Sequence, residues 1–392
     1  MKHILLINPN SDTFSNPVLF KVIEELNLSK KIKLTLVLAR QSTKLPDRFN
    51  AIKTIYLNPI NVNYPLKFWR AIPTLLSTVY LIFYSNFQKV NTIVGVDSLG
   101  FILAARVKYW LRKISLHYFS FEIFFEDELA LFPADLKSKI TEKGYGKYLD
   151  CLVIQDSHRQ ELLLHENNWK GLKIKTFLLP VSYPWIELKP NKRLEYRNSL
   201  GIAESETILI HSGSVAPWSG GHYLVSLLKA GLGENTKLLI HSKYKMSTEN
   251  SILTELQELS RLGYPVILHD ESFSDFEEYL NFLQVADIGL ALYFSDYKSA
   301  YNGKNIEEIG LSSGKFSCYM LAGIPTITTP NQIYTALNKV YDFGSIASST
   351  PSILFELNKI RNVDRKVNCQ KLFKEQLDFD KFLTPYLNKL SN

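Results

Sequence analysis

Hydrophobic and polar positions along the chain alternate between two textures. Short apolar runs of strand length occur at "HILLIN" (3–8), "IKLTLVLA" (32–39), "TIYL" (54–57), "TIVGV" (92–96), "ISLHYF" (114–119), "CLVIQ" (151–155) and "KTFLLP" (175–180). Between them lie segments with helical spacing, such as "PVLFKVIEELNLS" and "LGFILAARVKYWLRK". Strand followed by helix, repeated, predicts a parallel sheet covered on both faces. The pattern breaks at "PVSYPWIELKPNKR" (180–193), where three prolines and a charge cluster mark a linker. It restarts with "TILIHSG" (207–213), "TKLLIHS" (236–242), "PVILHD" (265–270), "ADIGLALY" (286–293) and "IPTITTP" (324–330). The expectation is α/β throughout: two doubly wound, Rossmann-like domains at 1–183 and 196–370, joined by 184–195. A terminal helix at 371–392 is expected to pack back on the first domain. Ligands of such sheets sit outside the carboxyl ends of the strands, here in a cleft between the domains.

Composition narrows the class. A chain of 392 residues with 46% hydrophobic and 21% charged positions is that of a soluble globular protein with room for two cores. Cys151, Cys318 and Cys369 are too few and too scattered for a disulfide framework, which points to a reducing cytoplasm. The start, "MKHILLINPNSD", turns polar too soon for a signal peptide and reads as a buried strand. "IPTLLSTVYLIFY" (72–84) falls short of the ~20 residues that span a bilayer. The longer segment "YPLKFWRAIPTLLSTVYLIFY" (64–84) reads as a buried helix, with a helix lying in a membrane interface as the alternative.

Charge is uneven. Of the net +7, residues 1–190 hold 25 Lys+Arg against 16 Asp+Glu, a net of +9, and the remainder 20 against 22, a net of −2. Such asymmetry suits a first half that faces something anionic, such as a membrane surface at the inner face. Nucleic acid is not expected, because the basic residues form no dense patch interleaved with aromatics.

Two segments carry candidate chemistry. In "GLSSGKFSCYMLAGIPTI" (310–327) a helix beginning near Ser313 or Gly314 would present unpaired amides with partial positive charge. Gly314 permits close approach, Ser312 and Ser313 can cap or donate, and Lys315 adds a full charge, a combination suited to a diphosphate. "LIHSGSVAPWSGGHYLV" (209–225) is a strand, a glycine-rich turn and a helix, where Gly213, Gly220 and Gly221 allow backbone approach to an anion. It is neither a dinucleotide fingerprint nor a P-loop.

Together these segments resemble the donor domain of GT-B glycosyltransferases, particularly the family 4-like retaining enzymes. "SGKFSCYMLAGIPTI" matches the family's S-x-K-x-x-E-Y-x-x-A-G-x-P-V-I at Ser313, Lys315, Tyr319, Ala322, Gly323 and Pro325. "VADIGLALY" resembles the strand upstream of it, and "VDSLGFILAARVKYWLRKISLHYFSFE" (96–122) an acceptor-domain strand-helix-strand. The resemblance implies a metal-independent transferase, without a cofactor, that moves a sugar from a nucleotide-diphosphate donor of UDP type. The acceptor implied is a hydroxyl of a glycan or lipid-linked molecule, and the anomeric outcome retention. It places the donor on Gly213, Ser214, Ser219, Gly220, Gly221, Lys243, Ser312, Ser313, Gly314 and Cys318. Lys315, Glu122 and Asp97 are the candidates for catalytic work.

The chain departs from the family pattern at several positions. The second of the family's two glutamates falls at Cys318, and Glu308 lies near the first but ten residues from Cys318. The cations of the first glycine loop are replaced by Ser214 and Ser219, which shifts the diphosphate charge to Lys315, the backbone dipoles and Lys243. Relatives with K-x-S-x-Y in place of the glutamate version exist among GT-B enzymes, which favours a variant enzyme. A nucleotide-sugar isomerase or epimerase on the same plan, and an inactive nucleotide-sugar-binding protein, are the alternatives. "EIFFEDE" (122–128) matches no metal site and reads as a helix with a solvated face, "DFD" (378–380) as helix capping, and His117, His211, His241 and His269 as locally hydrogen-bonded.

Overall fold

The computed structural model describes the chain except residues 10–15, 40–45, 58–66, 243–249, 274, 362 and 392; the side chains of 67–74 are likewise outside the described part. Two compact units result: Met1–Val181 together with Phe379–Asn392, and Ser182–Asp378.

The first unit is built on seven strands, β1 (Lys2–Asn8), β2 (Ile32–Ala39), β3 (Lys53–Leu57), β4 (Thr92–Val96), β5 (Ser115–Phe119), β6 (Cys151–Ile154) and β7 (Lys175–Leu178). They lie in the order β3-β2-β1-β4-β5-β6-β7, all pairs parallel. Period-two alternation sends Ile4 and Leu6 of β1 into one core layer and Leu5 and Ile7 into the other. All seven run where the apolar segments predict. The helix Phe379–Ser391 belongs to this unit: Phe379, Leu383, Tyr386 and Leu390, on one helical face, sit in the same layer as Ile4 and Leu6. The Tyr386 hydroxyl meets His117 Nδ1 at 3.0 Å, and Ser115 Oγ meets its Nε2 at 3.1 Å. Burial holds the pKa of this ring down to about 4.

The second unit has six strands, β8 (Thr207–Ser212), β9 (Thr236–His241), β10 (Val266–His269), β11 (Ile288–Ala291), β12 (Thr326–Thr328) and β13 (Gly344–Ile346). Their order is β10-β9-β8-β11-β12-β13, again all parallel. Five were predicted. The sixth, β13, is three residues, "GSI", with no apolar run to betray it. It pairs with β12 because Gly344 lies against the Thr326 backbone, where a Cβ would come within 2.1 Å of the carbonyl oxygen. Residues 182–190 form neither helix nor strand, yet they are held: Tyr183 stacks on Phe276 at 3.5 Å and Trp185 packs on Phe373.

Both sheets are doubly wound, as expected from the alternation. In each, the strand order reverses once, between β1 and β4 in the first unit and between β8 and β11 in the second. Such reversal points are where α/β sheets open a crevice at the strand carboxyl ends.

Two local expectations are corrected. "EIFFEDE" forms no α-helix: residues Glu126–Leu131 make a 3₁₀ helix, with Glu126 held by Lys143. The helix Lys67–Phe87 is not buried all round. Thr78, Leu81, Tyr84 and Ser85 turn inward, while Leu75, Leu76, Val79, Tyr80, Phe83 and Phe87 are exposed.

Candidate functional site

In the second unit, the reversal between β8 and β11 brings the two predicted segments together. The helix Gly314–Ala322 starts beside the end of β8 because Ser313 caps it, accepting the Phe316 amide at 3.0 Å. The Ser313 hydroxyl also meets the Tyr293 hydroxyl, just past β11. The helix is pinned to β8 by Tyr319, whose hydroxyl accepts the Ser212 amide at 2.9 Å and donates to the Ile210 carbonyl at 3.1 Å. This contact requires Gly289 on β11, where a Cβ would stand 2.5 Å from the Tyr319 ring.

That docking lays Lys315 across the glycine turn. A Cβ at Gly213, whose φ is +128°, would contact Lys315 Cε at 3.4 Å. Lys315 Nζ lies 3.3 Å from His211 Nδ1 and 3.2 Å from Nε2, and 5.8 Å from the centre of the Tyr293 ring. His211 Nε2 must carry a proton, since it meets the Ser214 carbonyl at 3.0 Å. Nδ1 is therefore the bare nitrogen, and the ammonium, nearly equidistant from both ring nitrogens, lies against the imidazole ring. Among the described residues no carboxylate pairs with Lys315. Burial alone brings its pKa down from 10.5 to about 7, and burial, followed by the charge of Lys315, drives His211 well below its ordinary value. The amides of Gly314, Lys315, Ser214 and Val215 also have no acceptor among the described residues.

The other predicted donor residues divide. Ser214 is exposed at the turn. Ser312 and Gly314 are half-buried beside it. Ser219 is 1% exposed and serves the turn itself, donating to the Ser214 carbonyl and accepting the Ala216 amide. Gly220 and Gly221 are packing positions: a Cβ at 220 would stand 2.7 Å from Leu292 Cβ, and the Gly221 amide donates to the Ala216 carbonyl. Cys318 lies in the core at 3% exposure near Tyr183, Tyr279 and Tyr293, and burial raises its thiol pKa, so it presents no anion. Lys243 falls outside the described residues.

Some residues of this constellation were not predicted as site residues. The sequence presents His211 as a strand histidine satisfied locally, which holds for Nε2 only. Beneath the turn, Tyr279 Oη and Ser212 Oγ are 2.8 Å apart, and Ser212 Oγ is 2.7 Å from His241 Nδ1. His241 Nε2 donates to the Glu271 carbonyl at 3.2 Å, and burial lowers this imidazole to about 4, so the chain is a neutral support for the end of β8.

In the first unit, Asp97 and Glu122 are brought together at the carboxyl edge. Asp97 starts the helix Asp97–Trp110 with φ +51°, and its Oδ1 accepts the amides of Phe121 at 2.8 Å and Glu122 at 3.1 Å. Gly95 and Gly100 allow that helix to seat so closely; a Cβ at 100 would stand 2.6 Å from the Ile7 carbonyl oxygen. The 121–122 loop is further held by Arg159, which donates to the Phe121 carbonyl at 2.8 Å. Burial, then the charge of Glu122, raises Asp97 to about 7. Asp97 thus positions the loop that carries Glu122.

A cavity of about 440 Å³ lies elsewhere in the second unit, at the amino ends of β11 and β12, among Arg193, Asp287, Arg361, Arg365 and Lys366. It holds none of the predicted site residues.

No protein-family description matches the sequence, and no curated protein does. Solved structures do match, along the whole chain. HepE of Anabaena, solved in complex with UDP, superposes with a TM-score of 0.72 at 12% identity over 100% of both chains. A sucrose-phosphate synthase from Thermosynechococcus elongatus gives 0.70 at 14% identity over 99% of this chain and 98% of that one. WaaG, a glycosyltransferase involved in lipopolysaccharide biosynthesis, gives 0.67 at 14% identity over 97% and 98%. The chain has the GT-B fold.

Two pH dependences follow from the shifted groups. Unfolded, Lys315 titrates at its ordinary 10.5; folded, at about 7. Between these values the unfolded chain holds the extra proton, so stability rises with pH. Lys315→Met should therefore be more stable than the parent at pH 6, the gap in melting temperature closing towards pH 10. Asp97 runs the other way: with its pKa raised from 3.8 to about 7, the folded chain holds the extra proton, and stability falls as pH rises through that window. Asn tolerates positive φ and keeps the accepting oxygen. Asp97→Asn should match the parent near pH 4 and exceed it at pH 8, measured by denaturant melts.

Proposed function

We propose that the protein is a nucleotide-sugar glycosyltransferase: a hexosyl transferase that moves a sugar from a UDP-type donor to a hydroxyl of a glycan or lipid-linked acceptor, with retention. One observation carries this reading. The Lys315 ammonium, unpaired with any carboxylate among the described residues, lies on the glycine turn beside open amides at the strand reversal. The fold shared with HepE, which has been solved with UDP-glucose, supports the choice of donor.

As the glycosidic bond breaks, negative charge grows on the leaving phosphate. Lys315 and the amides of Gly314, Ser214 and Val215 are fixed before that charge appears, so they stabilise the transition state more than the ground state. Phosphate binding also raises the Lys315 pKa, keeping the amine charged when it is needed. The reading assigns the diphosphate charge to these groups and not to a metal. Glu122 orients the acceptor hydroxyl on the loop that Asp97 holds. The basic first unit faces an anionic membrane surface at the cytoplasmic side, where a lipid-linked acceptor resides.

Lys315→Ala should lower UDP release from a panel of UDP-sugars by about 100-fold, an effect of ~3 kcal/mol on the barrier. Far-UV circular dichroism should be unchanged. An isomerase or an inactive binding protein would release no UDP from any donor, and unchanged release by Lys315→Ala would remove the assignment.

A further inference from the structure

The helix Lys67–Phe87 buries one face and exposes a largely apolar one over residues 75–87. At 100° per residue, Thr78, Leu81, Tyr84 and Ser85 occupy one arc and enter the core of the first unit. Leu75, Leu76, Val79, Tyr80, Phe83 and Phe87 fall within an opposing arc of about 140°, which also holds Asn86, and are exposed, Phe83 at 69% and Phe87 at 82%. The helix contains no acidic residue. Six large apolar side chains on one face exceed what a solvated surface helix carries.

The ridge has a neighbour. The helices Lys67–Phe87 and Asp97–Trp110 lie in one core layer, and each leads within a few residues into one of the adjacent parallel strands β4 and β5. Their carboxyl ends therefore meet at the amino edge of the sheet. There Trp110, 68% exposed, and Tyr109, packed edge-on against it, are exposed as well. Lys89, Arg112 and Lys113 are exposed at the same edge and have no carboxylate partner among the described residues. Aromatic and aliphatic side chains bordered by unpaired cations match the acyl–headgroup boundary of an anionic bilayer. No described helix is long and apolar enough to cross a membrane.

We propose that this ridge is a membrane-docking surface: the exposed face of 75–87, with Tyr109 and Trp110, inserts among the acyl chains of an anionic leaflet, while Lys89, Arg112 and Lys113 contact lipid phosphates. The proposal names the element through which the membrane contact suggested above is made, and it is independent of the donor chemistry.

Flotation of the full chain with vesicles tests it. Recovery should be highest with phosphatidylcholine–phosphatidylglycerol vesicles and lower with phosphatidylcholine alone. The double substitution Phe83→Ser/Phe87→Ser should cut vesicle affinity at least about tenfold, because it removes two deeply inserting rings. Phe355→Ser, an exposed phenylalanine of the second unit, should change nothing. Replacing Lys89, Arg112 and Lys113 by Gln should abolish the preference for anionic vesicles. A label on Val79→Cys should shift to the blue on vesicle addition; the native cysteines are all buried and leave it the accessible thiol. UDP binding, followed in parallel, should be unaffected by the Phe variants, so failure of docking and failure of the donor site are told apart. Wild-type flotation by the double variant, with its melting temperature unchanged, overturns the proposal. So does a wild-type dimer that the double variant dissolves, since the ridge would then be covered by a second copy.

Discussion

An ammonium with no counter-charge among the described residues is the constraint around which the glycine turn of the second unit is arranged. Lys315 is taken partly out of water by the docking of its helix on β8, and the fold supplies no carboxylate among the described residues to offset that cost. What surrounds it instead is permissive: a glycine with no Cβ, a neutral imidazole ring, and the face of Tyr293. Burial, with no counter-charge among the described residues, brings its pKa down to about 7.

The support beneath is neutral and rigid. Tyr319, Gly289 and Ser313 fix the helix start, and the Tyr279–Ser212–His241 chain fixes the end of β8. All but the half-buried Tyr279 are buried, so the amides above sit on a hydrogen-bonded frame. In the first unit a comparable reversal point holds a different arrangement, a raised carboxyl group that organises a loop. The same topology thus yields a cationic turn in one unit and an acidic loop in the other.

Much of this was legible in the sequence, and the residues that were not share a reason. Strands β1 to β12 follow from apolar runs because parallel strands are buried on both faces. The turn at Gly213 and the cap at Ser313 follow from glycine and N-cap chemistry. What period and composition cannot give is who neighbours whom across long separations. His211 and Lys315 are 104 residues apart, so their meeting is a product of sheet order. Cys318 and Ser219, chosen by position in a motif, point into the protein, a direction that motif spacing does not specify. The helix Lys67–Phe87 is apolar enough to look like core. Only the packing of its other face showed that one side remains uncovered.

The central claim is that Lys315 waits partly deprotonated for a phosphate. Calorimetry of UDP binding at pH 8, repeated in buffers of different ionisation enthalpy, tests it directly. A free-state pKa of about 7 that rises on binding predicts uptake of roughly one proton. That uptake should fade below pH 6 and be absent in Lys315→Met. Binding of UDP to the parent protein with no proton uptake at pH 8 would contradict the account.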